Sequence, residues 1–552
     1  MEPAGLALSV ISSFGVCKAG YKFIRSMKNA SSSTVRAQCK CEIEEARFLL
    51  WGRSWGLVDD TGALLPTAHI ESKLAKESVS ITRLVANILG EIATILGGMD
   101  SIKEKYALEA TVTAGDKQNI SDTVRYESSY SMTLKRKITW STGDKESFLA
   151  LAVELRDLNS GLYSLLPMKT QSLLSDALNT EILCTKSTQT DIEMIKEISE
   201  EDEPKLSSAA GLKLLGLDVS ADDAMWSSLP TTKMPKAAFR VQTSEFGVSE
   251  TRTSSAMIRP ISYATHVPGE GRDPATVMIE WKPYDQRAGV SRAYVTAMRA
   301  DSLCRLLRKF SSISLGVLSC IGFFDDIATG CFGFAFKLPQ CPLYGTVSQP
   351  LTLNHFIGNQ PSLPPLEDRF RLSSVLARTL IAFHCSEWLH KDFSSKNILL
   401  GTSPGDTSKP DLTRPYVIGF TYSRPDDHEG ISSEIRQPAA DEPFCQHPSL
   451  TPNNGRVAPR YCKAFDLWAL GCVLLEVGLW RRLDDLWKPK YSETRDKWVD
   501  RLKKNWTREL RGRCGGTYEE VVNICLEAHD VVPSSQRYLF WDILAKLDSL
   551  HV

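Results

Sequence analysis

The chain has 552 residues, of which 42% are hydrophobic and 24% charged, and its formal net charge is -1 at pH 7. That length exceeds what one hydrophobic core organises, and the composition excludes a disordered chain and one that coats nucleic acid through global charge. The fourteen cysteines include no C-x-x-C with a second pair or a His-x-x-x-His, so zinc chemistry is excluded and they read as reduced core thiols.

The N-terminus "MEPAGLALSVISSFGVCKAGYKF" begins with an acid instead of a basic n-region, so neither a secretory signal nor a disulfide framework is expected, and a cytoplasmic location is. The apolar run from Leu6 to Cys17 is broken by Ser9, Ser12 and Ser13 and stopped by Lys18, which leaves it short of the roughly 18 residues that span a bilayer. From there to about Glu200 the apolar spacing is helical, in "CEIEEARFLLWGRSWGL", "KLAKESVSITRLVANILGEIATIL", "KESFLALAVELRDLNSGLYSLL" and "TQSLLSDALNTEILC". Residues 1–205 are therefore predicted to form an all-α bundle, with Trp51 and Trp55 packed on one helical face. The polar stretches "DDTGALLPT" and "GDKQNISDTVRYESSYSMTLKRKITWSTGD" read as loops.

Ser, Thr and Pro then accumulate without periodicity, and residues 206–255 are predicted to be a linker, with a helical turn or two in "AAGLKLLGL". Beyond it, residues 256–552 show β-like runs ("ATVMIEWK", "LGVLSCIGFF", "CFGFAFKL") followed by helical ones ("FRLSSVLARTLIAFHCSEW", "FDLWALGCVLLEVGL"). Strands first and helices later predict an α+β domain of two lobes. Within it, "WRRLDDLWKPKYSETRDKWVDRLKKNWTRELRGR" carries twelve Lys/Arg against six Asp/Glu. This stretch reads as a solvated helical surface with buried tryptophans, and no nucleic-acid partner is expected.

Four motifs in order make residues 255–550 resemble the protein kinase family: Lys282 in "VMIEWKPY", the loop His390, Asp392 and Asn397 in "EWLHKDFSSKNILL", the strand "YVIGF", and Asp466, Trp468 and Gly471 in "FDLWALG". The resemblance implies Asp392 as the base, Asn397 as a metal ligand, Lys282 as the ATP phosphate ligand, and Asp466, Trp468 and Gly471 as architecture. The chain departs from the pattern at Gly419-Phe420-Thr421, where the metal-binding Asp is a glycine. It departs again in "SRAYVTAMRADSLCRLLRKF", which holds Asp301 but no Glu, and in "PGEGRDP", whose Gly269 and Gly271 read as a turn. Phosphoryl transfer depends on charge neutralisation and positioning, so these losses predict a pseudokinase with weak or absent Mg²⁺ binding. His447-Pro448 stands where a substrate-platform anchor would fall. The alternative is an active protein kinase with an oligomerisation bundle.

The segments "GLALSV", "RFLLWGRSWGL" and "LRDLNSGLYSLLP" make about residues 1–215 resemble the HeLo domain of fungal incompatibility and prion-inhibition proteins. That resemblance implies a bundle that is triggered to expose its first helix, oligomerises, and acts at an anionic membrane, at the plasma-membrane periphery. The combined expectation is a signalling effector of the incompatibility or cell-death type, restrained by its kinase-like domain and triggered by an unidentified protein regulator.

Overall fold

The computed structural model describes residues 3–28, 32–59, 61–66, 69–70, 77–97, 109–111, 129–131, 145–226, 237–248, 261–267, 274–284, 290–312, 316–338, 350–359, 362–403, 406–426, 446–450, 459–486, 495–531 and 536–550. Two compact units divide the chain, Met1–Ser207 and Ser208–Val552.

The long helices of the first unit are α1 (Pro3–Ser26), α2 (Ser32–Ser54), α3 (Val79–Gly97), α4 (Lys145–Ser164), α5 (Met168–Leu183) and α6 (Gln189–Ile198). A further helix, α7 (Pro204–Trp226), crosses the division. Apolar residues three and four apart turn one face of each helix into a shared core. In α1 these are Leu6, Val10, Phe14, Cys17, Tyr21 and Ile24, and in α3 they are Val85, Leu89, Ile92 and Leu96. Each fully buried Leu, Ile or Phe contributes roughly 1.5–3 kcal/mol. Trp51 and Trp55 stack at 5.4 Å, as their spacing predicts. Among the described residues, α3 is long and apolar enough to cross a membrane by length and composition, yet its core face is buried in the bundle.

A polar knot interrupts this core. Asn159 falls on the apolar stripe of α4 and is fully buried, with Nδ2 donating to the Glu44 carbonyl at 3.0 Å and to Glu44 Oε2 at 2.9 Å. Arg47 pairs with Glu44 at 3.2 Å and with Glu203 at 3.3 Å, so the stretch just before α7 is tied to α2. The stretch expected to be a polar loop holds one three-residue strand, Ser129–Ser131, which pairs antiparallel with Glu109–Thr111 just before that stretch.

The second unit combines helices with antiparallel sheet. Its main strands are β1 (Phe246–Val248), β2 (Ile261–His266), β3 (Ala275–Pro283), β4 (Cys320–Asp326) and β5 (Cys331–Lys337), in the order β1-β2-β3-β5-β4. The helix α8 (Val290–Ser312) lies in sequence between β3 and β4. Val241 N–H donates to Phe323 O at 2.9 Å and Phe323 N–H to Phe239 O at 3.0 Å, so residues 239–241 cover the outer edge of β4 while β1 pairs with β2. One strap thus runs from the outer edge of β4, at Phe323, to that of β2, and its Phe246 packs with Val277, Ile279, Trp281 and Phe324.

The stretch 206–255 therefore contains built structure where a linker was expected: α7 runs to Trp226, and the strap completes the sheet. The physical reason is that both gain their order from distant partners. Short-range periodicity does not record that.

The helical part holds α9 (Leu366–Cys385), α10 (Lys463–Leu479), α11 (Gly516–Glu527) and α12 (Gln536–Ser549). Every residue from Ala464 to Leu479 is buried, which makes α10 the central helix of this part.

Candidate functional site

The first turn of α10 organises the loop 387–397. Asp466 is fully buried and accepts from the His390 N–H at 2.8 Å, the Lys391 N–H at 2.9 Å, the Tyr461 hydroxyl at 2.7 Å and His384 Nε2 at 3.2 Å. Desolvation pushes its carboxyl up, but these donors, His384 foremost, hold it below the usual carboxylate range. The loop gains a fixed shape from this hub, including Lys391 in the left-handed region at φ 69°. Trp468 is buried beneath His447 at 4.8 Å, and Gly471 lies against Cys525 and Leu526 of α11.

His390 is a structural crosslink. Its Nε2 lies 3.0 Å from the Ile418 carbonyl, which only accepts, while Nδ1 accepts from the Asp392 N–H at 3.3 Å. The ring is therefore the neutral Nε2–H tautomer. Burial lowers its pKa to about 4, so it stays neutral at physiological pH.

Asn397 and Gly419 meet where the resemblance implies metal chemistry. Asn397 Nδ2 donates to the Asp392 carbonyl at 2.7 Å, and the Ile418 N–H donates back to the Asn397 carbonyl at 2.9 Å. Gly419 has φ 88°, and a Cβ there would stand 2.4 Å from Asn397 Cγ. The carboxamide occupies the volume that any side chain at 419 would need.

The functional residue that sequence reasoning missed is Glu280. On β3, Val277, Ile279 and Trp281 face the sheet interior, which sends Glu280 and Lys282 to the other side. Glu280 Oε2 accepts from the Gly419 N–H at 3.0 Å, and Oε1 accepts from the Thr421 N–H at 3.0 Å and from Thr421 Oγ1 at 2.9 Å. Lys282 Nζ donates to the Thr421 carbonyl at 2.7 Å. Two residues of one strand thus grip the turn 419–421 from both its donor and its acceptor sides. Burial raises the Glu280 pKa against the pull of those donors. The available signal was a lone acid inside the apolar run "VMIEW".

Asp301 of α8 accepts from the Phe239 N–H at 2.6 Å, so this acid anchors the strap. Among the described residues no cluster of three His, Cys, Asp or Glu side chains is arranged for a metal ion. Gly269 and Gly271 lie outside the described residues.

Several charges of the basic stretch near the C-terminus are paired among the described residues. Lys504 pairs with Asp500 at 3.2 Å, Arg511 with Glu519 at 2.6 Å and Arg513 with Glu509 at 2.8 Å, while Trp480 and Trp498 are buried. His447 stacks on His529 at 4.8 Å, and burial lowers its pKa to about 4.

Residues 5–198 match the family model HeLo, described as prion-inhibition and propagation. Residues 300–547 match a family described only as a domain of unknown function, DUF7580. That second match includes Asp301, the His390 loop, Gly419 and Asp466, and it excludes Glu280 and Lys282. No curated protein matches the chain.

Proposed function

We propose that this chain is a signalling effector in which a catalytically silent, kinase-like second unit regulates a HeLo-type bundle that oligomerises and acts at anionic membranes. The HeLo match supports a helical effector of the fungal cell-death or incompatibility type. Support for the kinase-like reading comes from the order of parts: a strand lysine, a helix, two antiparallel strands, the His390 to Asn397 loop, a glycine turn, and a buried aspartate that holds the loop's amides.

The observation that carries the silent reading is the Glu280 carboxylate seated on the amides of Gly419 and Thr421. In phosphoryl transfer, the turn carries a carboxylate that bridges Mg²⁺ to the phosphates, and the strand lysine grips those phosphates. Here the turn carries no carboxylate, Asn397 fills the volume of one, and Lys282 commits its ammonium to the Thr421 carbonyl. Asp392 and Asn397 serve to hold the loop. An unidentified protein regulator then acts by biasing the second unit between two states.

The deciding experiment offers labelled ATP with Mg²⁺ or Mn²⁺ to the full chain beside Asp392→Asn. The expected result is no phosphate incorporation by either protein. Incorporation by the parent chain that disappears in the variant would establish an active kinase instead.

A further inference from the structure

We infer that Glu387 is a two-lysine clamp that docks α7 on the loop leading into His390, and that release of this clamp is how the second unit signals to the bundle. The signalling half rests on the function proposed above.

A lysine stands in the middle of the apolar segment "AAGLKLLGL", and its side chain is only 2% exposed. Lys213 Nζ lies 2.9 Å from Glu387 Oε1, and Lys463 Nζ lies 2.7 Å from Oε2, so each carboxylate oxygen holds one lysine. One turn further along α7, a Cβ at Gly216 would stand 2.4 Å from the Ser386 carbonyl oxygen, so the helix backbone itself seats against the residue before the clamp. Glu387 has φ 53°, a strained conformation for a residue with a Cβ, and the loop keeps it with its carboxylate bound on both sides. Burial pushes that carboxyl up, and Lys463 and Lys213 together bring it below its ordinary value.

The second lysine supplies the coupling. Lys463 opens α10 three residues before Asp466, and it also lies 3.9 Å from Asp426, whose N–H donates to the Glu387 carbonyl at 2.8 Å. One carboxylate therefore ties α7, the His390 loop and the start of α10 together. Loss of a single partner strands a buried charge, which makes docking closer to all-or-none than graded.

Hydrogen exchange on the full chain tests this, using Glu387→Gln, Lys213→Met and the double variant. In Glu387→Gln the amides of residues 208–218 are expected to exchange at least about tenfold faster while α10 is unchanged. Lys213→Met replaces the ammonium with an apolar chain of similar length and should make the Glu387 change nearly silent in the double variant. Unchanged exchange in Glu387→Gln, or equal acceleration with and without Lys213, would overturn the clamp.

Co-sedimentation of the same proteins with vesicles of anionic phospholipid, beside Asp466→Asn as a variant that releases the loop amides by another route, separates the two halves of the inference. Gain of vesicle binding in Glu387→Gln supports coupling. Faster exchange without that gain, when Asp466→Asn does bind, overturns coupling. If no variant binds, the membrane reading itself fails, and the clamp is decided by exchange alone.

Discussion

Asp466 and Glu280 are both fully buried carboxylates that order a turn by accepting backbone N–H groups, yet their pKa values move in opposite directions. Asp466 adds His384 and the Tyr461 hydroxyl to its two amides, and its charged form is favoured over water. Glu280 receives backbone N–H groups of the 419–421 turn and the Thr421 hydroxyl, but no charged donor, and these do not outweigh the loss of solvent. One side of the site is therefore a strong scaffold on which the His390 loop is fixed. The other is a carboxylate held at some cost on a turn that carries none of its own. Two buried carboxylates can thus order their turns equally well, and what separates them is the hydrogen bonds and charges that each gathers.

The largest expected effect comes from breaking the stronger side. Asp466→Asn turns one carboxylate oxygen into a donor facing another donor, and should lower the stability of the second unit by about 3–5 kcal/mol in urea titration. Because the Asp466 pKa is lowered by folding, its contribution is present above the ordinary carboxylate pKa and is lost as pH falls through the folded value. The variant should therefore lack the acid-side loss of the parent chain.

The next effect tests the Glu280 side. Gly419→Asp supplies the residue type that the proposed kinase-like reading would need for metal chemistry, but at φ 88° and against Asn397 it should cost about 2–4 kcal/mol and produce no phosphate transfer. If Gly419→Asp were instead stable and bound Mn²⁺, the two sides would differ by one side chain only.

Legibility in the sequence follows the same division. The bundle stripes of α1, α3 and α4 were readable because their partners recur at a helical period, and the hold of Asp466 on the His390 loop, across 76 residues, only because the two short motifs that carry them resemble those of a known family. α7 and the strap were not, since Lys213 finds Glu387 at a separation of 174 residues and Phe239 finds Asp301 at 62. Glu280 was hidden for a related reason. A charge inside a strand states that a partner exists without saying that the partner is a backbone turn 139 residues away.

A third carboxylate sharpens the contrast from below the loop. Glu476 of α10 is fully buried, accepts from the Leu483 N–H at 2.8 Å, and is pushed by burial to a pKa of about 7. A folded value above the unfolded one contributes stability that is fully present below about pH 4.5 and is lost as pH rises through about 7. Glu476→Gln keeps the acceptor without the charge. It should remove that decline and leave the variant about 2–3 kcal/mol more stable than the parent at pH 8, as read from urea midpoints across pH.

The smallest effect is the most diagnostic for chemistry. Lys282→Met removes one charge-assisted hydrogen bond, from Nζ to the Thr421 carbonyl, from a half-buried side chain, so a loss of about 1 kcal/mol is expected. A lysine whose role was to grip phosphates would behave differently. Its removal would scarcely change the melting point of the nucleotide-free chain but would abolish any rise on adding ATP. Here the expected pattern is the reverse: a small drop without nucleotide and the same response to ATP before and after the change. Glu280 decides between these outcomes, because while its carboxylate holds the 419–421 turn, the Thr421 carbonyl stays aimed at Nζ and the ammonium has a partner already in place.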